Sequence, residues 1–185
     1  SINVIFIRIN QILENKDQVF SHLIIDNIEV YENHEEYIKE RIQDIETIEI
    51  ITRSITEMIW ETMQSLQEYL DRAIPALADL VENSYKSFSD ETWTGIGQLA
   101  EGMQWILQFK ETTDSASKKP MNWLSIKESI EVCEGGFIQL LEAIETKDTI
   151  LITDILSYEI TPAYEKLKDN IETALKDEEF LKDVN

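Results

Sequence analysis

Between Ile55 and Phe88 the apolar positions recur three, four or seven apart: Ile55, Ile59, Met63, Leu66, Leu70, Ala73, Leu77, Val81 and Phe88. At about 100° per residue, that spacing keeps them on one side of an α-helix. Trp60, Ile74, Ala78 and Tyr85 form a second stripe beside the first. The two stripes together cover roughly half of the helix circumference, wider than one packing partner needs. The pattern predicts a long central helix touched from two sides. Pro75 lies in its interior, and a kink is expected near Ala73 or Ile74, because proline lacks the backbone donor and crowds the preceding turn.

Three more amphipathic helices follow. The first runs from Asp90 to about Glu111, with Trp93, Ile96, Leu99, Ala100, Met103, Ile106 and Leu107 as its core stripe. Thr112 to Pro120, TTDSASKKP, reads as a loop. The next helix starts at Asn122, a good cap residue, and reaches about Glu145. Its stripe is Trp123, Ile126, Ile130, Cys133, Phe137, Leu140, Leu141 and Ile144. Asp148 caps a last helix that extends to about Leu175 and is kinked by Pro162. Its stripe is Ile152, Leu156, Ile160, Ala163, Leu167, Ile171 and Ala174. The charged tail beyond Lys176 is expected to fray. Short connections between such helices favour an antiparallel bundle. The stretch DTILITDILSYEITP, Asp148 to Pro162, resembles in its general pattern bacterial acidic helical-bundle proteins and export chaperones. The likeness is one helix long, a length any amphipathic helix can match, and it assigns no family.

Residues 1–54 follow a different rule. They contain neither glycine nor proline and are dense in isoleucine. Ile2 to Ile9 is apolar on both faces and rich in β-branched residues, which predicts a central strand. Leu13 to Asp17 reads as a connection, and Val19 to Ile25 as a second strand. Asp26 and Asn27 tolerate left-handed backbone angles, so they predict a tight hairpin into Ile28–Tyr31. Asn33 is placed to cap a short helix with Glu35 and Glu36 in its first turn, where negative charge suits the helix dipole. Tyr37, Ile38, Ile42 and Ile45 would be its buried face. Thr47 to Thr52 is the last strand. The expected fold class is therefore α+β. A small β-β-β-α-β module, residues 1–54, packs on a mainly antiparallel four-helix bundle, residues 55–185, that ends in a frayed acidic tail.

Composition narrows the function classes. The chain has 185 residues, 43% of them hydrophobic, with a formal net charge of −21. A surface this acidic repels nucleic-acid phosphates and anionic lipid head groups. No apolar run reaches the length of about 18 residues that a membrane-spanning helix needs. SINVIFIRIN has neither the basic start nor the small-residue cleavage site of a secretory leader. With the single cysteine Cys133 there is no disulfide framework within the chain, and a reducing cytoplasm is the expected compartment.

Motifs for chemistry fail one by one. Gly95-Ile96-Gly97-Gln98-Leu99-Ala100 satisfies the G-x-G-x-x-A dinucleotide pattern, but that pattern works only after a buried strand, and Phe88 to Trp93 is polar, acidic and helix-starting. The five glycines, Gly95, Gly97, Gly102, Gly135 and Gly136, all fall in two helices. Each costs about 1 kcal/mol against alanine there, so close packing or a helix break is implied. His22 and His34 lack a neighbouring nucleophile signature. Cys133 lies on a core stripe and reads as an inert buried thiol. One cysteine and two histidines are too few for the usual zinc sites, and neither a Glu-x-x-His pair nor an EF-hand spacing occurs.

No catalytic, metal-binding or cofactor-binding residue is assigned, and no cofactor is expected. Two groups remain as candidates. Arg72, the single arginine after Arg53, and Glu159 sit at the margins of apolar stripes and are expected to form a partly buried ion pair. Trp105 and Phe109 are four apart, opposite the expected core stripe. Apolar area prefers burial in its own chain, so this pair is expected to pack internally, against the small module or the third helix; otherwise, with Trp60 and Tyr85, they are the candidate interface residues. The expected function is a non-catalytic protein-interaction module, adaptor-like or chaperone-like, with a protein partner of basic character or a second copy of the chain. An acidic immunity-type inhibitor of a basic partner and an enzyme of unrecognised type are the alternatives.

Overall fold

In a computed structural model, residues 2–14 and 17–182 are described. The fold is mixed, with helices and, among the described residues, one three-stranded antiparallel sheet. The chain packs as two compact units. Among the described residues, one holds those up to Met58 together with Ala116–Lys118, and the other holds Ile59–Ser115 and residues 119–182.

In the first unit the order is helix α1 (Ile2–Leu13), strands β1 (Gln18–Ile25) and β2 (Ile28–Val30), helix α2 (His34–Arg41) and strand β3 (Ile48–Ser54). The predicted first strand is therefore a helix, and the module is α-β-β-α-β rather than β-β-β-α-β. The same residues satisfy both periods. Ile5, Phe6 and Ile9 share a helical face that packs on Leu23, Ile25, Val30 and Ile38, while Val4 and Ile7 point outward at 62% and 56% exposure. Burial of that face outweighs the strand preference of β-branched residues, which is itself a matter of context. Asn15 and Lys16, in the expected connection, lie outside the described residues.

The sheet order is β2-β1-β3. Asp26 and Asn27 turn the hairpin with φ of 48° and 67°, the left-handed pair that a two-residue turn demands. The Asp26 carboxylate accepts from the Thr47 and Glu46 backbone N–H groups at 2.7 and 3.1 Å, fastening the start of β3. The Thr47 bond in particular holds that carboxyl below its usual range. Asn33 precedes α2 with a left-handed backbone but makes no side-chain cap bond. Tyr37 and Ile38 are inward as expected, whereas Ile42 is exposed.

Strand gives way to helix between Ser54 and Ile55, where α3 (Ile55–Lys86) begins and runs through Pro75 as one element. Ile59, Met63, Leu66, Leu70 and Leu77 are buried along it. Helix α4 (Asp90–Ser115) reaches four residues further than the predicted Glu111. Buried Thr113 and the bonds of Asp114 explain the extension. Asp114 accepts from the Trp123 indole N–H at 2.9 Å and pairs with Lys127 at 2.7 Å, so TTDS is tied down as helix instead of loop.

Helix α5 (Trp123–Glu145) buries its predicted stripe except Leu141, which is exposed, and Ile144, which is half-buried. Asn122 again supplies a left-handed backbone, not a side-chain cap; its amide donates to the Asn170 carbonyl. Asp148 does cap α6 (Thr149–Ile155), accepting from the Leu151 N–H at 3.0 Å. The predicted last helix is split by a π-turn over Leu156–Ile160 before α7 (Thr161–Ala174). Ile152, Leu156, Ile160 and Tyr164 are spaced by four and all buried. In a pure α-helix each such step drifts about 40°, roughly 120° in three steps. One wide turn absorbs about a residue of that drift and keeps all four inward. The Thr161 N–H and hydroxyl both donate to the Leu156 carbonyl to close it. The described part of the tail does not fray. Glu178–Leu181 forms a short 3₁₀ turn, and Phe180 is buried, its ring 6.2 Å from Trp60.

Candidate functional site

The site lies between α3 and α4, where glycines on α4 admit side chains of α3 and small residues beside them leave space. The tip of Leu80 sits 2.8 Å from where a side chain on Gly95 would begin, and the Tyr69 hydroxyl fills the place of a side chain on Gly102. The meeting points, 80 with 95 and 69 with 102, run in opposite senses. The two helices are thus antiparallel, and two of the five glycines are explained by the side-chain tips they admit from the other helix. Gly136 is met by Ile160 at 3.2 Å, while Gly97 and Gly135 face open space.

Alongside that seam an open cleft of about 520 Å³ runs from Tyr69 to Asn83 on α3 and from Ser89, just before α4, to Leu99 within it. Its volume comes from Ala73, Ala76 and Gly95, and its apolar surface from Leu77, Leu80 and Leu99. Charge is unevenly placed along it. Arg72 stands at the Tyr69 end. Asp79 and Glu91 stand toward the turn between the helices, with Asn83, Ser89 and Thr92 beside them. Arg72 Nε donates to the Glu68 carbonyl of its own helix at 3.2 Å, which leaves the outer guanidinium N–H groups for an occupant. Histidine, cysteine and lysine are absent from the lining. The cleft offers hydrogen bonds, apolar contact and separated charges.

Behind the Tyr69 end lies an aromatic wall. Tyr69 meets Trp105 edge to face at 5.9 Å and Tyr164 at 6.4 Å. Burial pushes the phenols of Tyr69 and Tyr164 up, and it pushes the Cys133 thiol up to about 12. At neutral pH all three are protonated. The Tyr164 hydroxyl is fully buried without a well-formed hydrogen bond, although Tyr69 lies near enough to press on its ionisation.

The candidates from the sequence are not assembled into one site. Phe109 is buried at 3% exposure and packs edge-on to Trp123, so it belongs to the core and is not open to a partner. Trp105 is half-buried on Tyr69, and Trp60 half-buried on Phe180. The core face of α4 is rotated relative to the predicted stripe: Trp93 is 39% exposed and rests on Phe88 instead. Tyr85 alone of the four is exposed, and its hydroxyl donates to Asp154 at 2.6 Å. That bond to a carboxylate pushes the Tyr85 phenol up to about 12. The expected Arg72–Glu159 pair is not formed. Both side chains are exposed, and Arg72 turns to Glu68. The π-turn carries Glu159 outward while Ile160 takes the inward position.

His22 stacks on Tyr31 at 4.5 Å and His34 bonds the Val30 carbonyl at 2.8 Å, both in the first unit. The G-x-G-x-x-A stretch lies inside α4, without the strand that the dinucleotide turn needs. Among the described residues no group of three or more potential metal ligands occurs, and no helix is long and apolar enough to cross a membrane. The cleft itself was missed. Its signal, Ala73 and Ala76 beside a glycine-bearing helix, was legible only once the two helices were known to pair.

Residues 61–170, more than half of the chain, match the family described as "Domain of unknown function (DUF8042)". The chain belongs to that family. The matched span begins in α3 and ends in α7, so it takes in the whole cleft and the π-turn and leaves out the three-stranded sheet. No curated protein and no solved structure matches the chain.

Proposed function

We propose that this chain is a non-catalytic binding module that holds a segment of another protein in the cleft between α3 and α4. The observation that carries the reading is the cleft, open, apolar along its middle and bearing an arginine whose outer N–H groups are uncommitted. Cavities of several hundred Å³ with apolar walls and a few polar groups are the usual seats of ligands. Tyr69, which lines it, and Tyr164 and Cys133 behind that ring are pushed toward their neutral forms, which suits a wall better than a nucleophile. The same reading includes the wider arrangement: α3, α4, α5 and the α6–α7 pair as four mainly antiparallel rods, supported by the short connections at 87–89 and 146–148.

Filling the cleft tests this. Ala76 is exposed and lines it, so Ala76→Trp should block the space and leave the fold intact. The expected result is a set of proteins retained from native-cell extract by the unaltered chain and lost with Ala76→Trp, at an unchanged thermal midpoint. Identical retained sets, or none, would contradict it. The net charge of −21 favours a second reading, an acidic inhibitor that covers a basic partner. Such a partner would be released by salt and would ignore Ala76→Trp, because screening acts over about 10 Å at 0.1 M salt.

A further inference from the structure

The distribution of charge along the cleft says more about its occupant. Arg72 and Asp79 are seven residues apart on α3, two turns, so they stand on one face about 10 Å apart along the axis. The antiparallel seam brings Glu91 of α4 level with the stretch of α3 just beyond Asp79, adding a second carboxylate to that end. Between the ends the lining is Ala73, Ala76 and Leu77 of α3 with Leu99 and the single polar side chain Gln98 of α4. The cleft is thus an apolar trough with a cationic end and an acidic end. A purely cationic segment would be drawn to one end and opposed at the other, and a purely anionic one would meet the reverse.

Resting on the binding-module reading above, we propose that the α3–α4 cleft takes a dipolar peptide segment. Its cationic side chain lies against Asp79 and Glu91, two apolar residues fill the trough, and a carboxylate pairs with Arg72. In an extended chain three residues span about 10 Å, matching the separation of the two ends. Arginine suits the carboxylate end because its planar fork takes two oxygens at once. Charge complementarity here selects the occupant more than it strengthens binding.

Four pools of capped tetrapeptides, all with randomised apolar residues in the middle, provide the test on the full chain. Their end residues are one cation and one anion, two cations, two anions, or two serines. The cation–anion pool should be retained about fivefold better than either like-charged pool, because each exposed charge pair is worth at most about 1 kcal/mol. Arg72→Glu should then switch the preference to the two-cation pool, and Arg72→Gln should abolish the discrimination against it. Arg72 is exposed, so both variants are expected to keep the thermal midpoint, which is measured alongside. Equal retention of the serine and cation–anion pools would overturn the dipolar assignment and leave the cleft reading standing. If no pool is retained and Ala76→Trp also changes nothing, both fall.

Discussion

Glycine is where single residues say most about this fold. Gly102 and Gly95 are places where a neighbouring side chain occupies the room of a Cβ, whereas Gly97 and Gly135 have nothing within 4 Å. In a helix, alanine is preferred to glycine by about 1 kcal/mol when nothing else changes. Gly97→Ala and Gly135→Ala should therefore each raise stability by up to about 1 kcal/mol in urea unfolding. Gly102→Ala should lower it by roughly 1–3 kcal/mol, because the Tyr69 ring, wedged against Trp105 and Tyr164, must leave its place. A stabilising Gly102→Ala would show that Tyr69 is free to move and that the aromatic wall is loose. The sequence could pose this question, packing or break, but not answer it. A glycine inside a helical pattern looks the same whether a neighbour fills its space or not.

Helices and strands were legible to different degrees. The spacing of three and four places α3 from its first residue, and the Asp26–Asn27 turn follows from the two residues most tolerant of left-handed angles. Ile2 to Ile9 misled because isoleucine every two to three positions satisfies both periods, and only the partner surface, Leu23, Ile25 and Ile38, decides between them. Trp93 and Leu141 differ from expectation for a related reason. An apolar arc read from sequence fixes which residues are apolar, not how far the helix is rotated toward its neighbours. The bond between Tyr85 on α3 and Asp154 on α6 is invisible at that level, since the two are 69 residues apart. It carries a pH signature. The Tyr85 phenol is raised from an ordinary 10.0 to about 12. A group raised on folding contributes stability that is present below its unfolded pKa and is lost as pH rises through the folded one. This contribution should fade between about pH 10 and 12, and Tyr85→Phe should flatten the fall in thermal midpoint across that window. A variant with the same alkaline profile as the unaltered chain would show that the bond is not held in solution.

For the whole molecule, charge and period set the frame, and packing supplied the site. The sequence separates a β-containing region from a helical one at Ser54, and the family match, residues 61–170, covers helical structure only. The cleft lies wholly within that span. It could not be read beforehand because it is made of what is missing: small side chains on two helices whose pairing the sequence does not state. The measurement that tests the binding reading most directly is site-specific photo-crosslinking in the native cell. A photoreactive benzoyl-phenylalanine at Ala76, inside the cleft, is compared with one at Leu124, which is 80% exposed on α5 and away from it. The account predicts discrete protein adducts from position 76, competed away by excess unlabelled chain, and none of those adducts from position 124. The same adducts from both positions, or none from position 76 at equal expression, would contradict it.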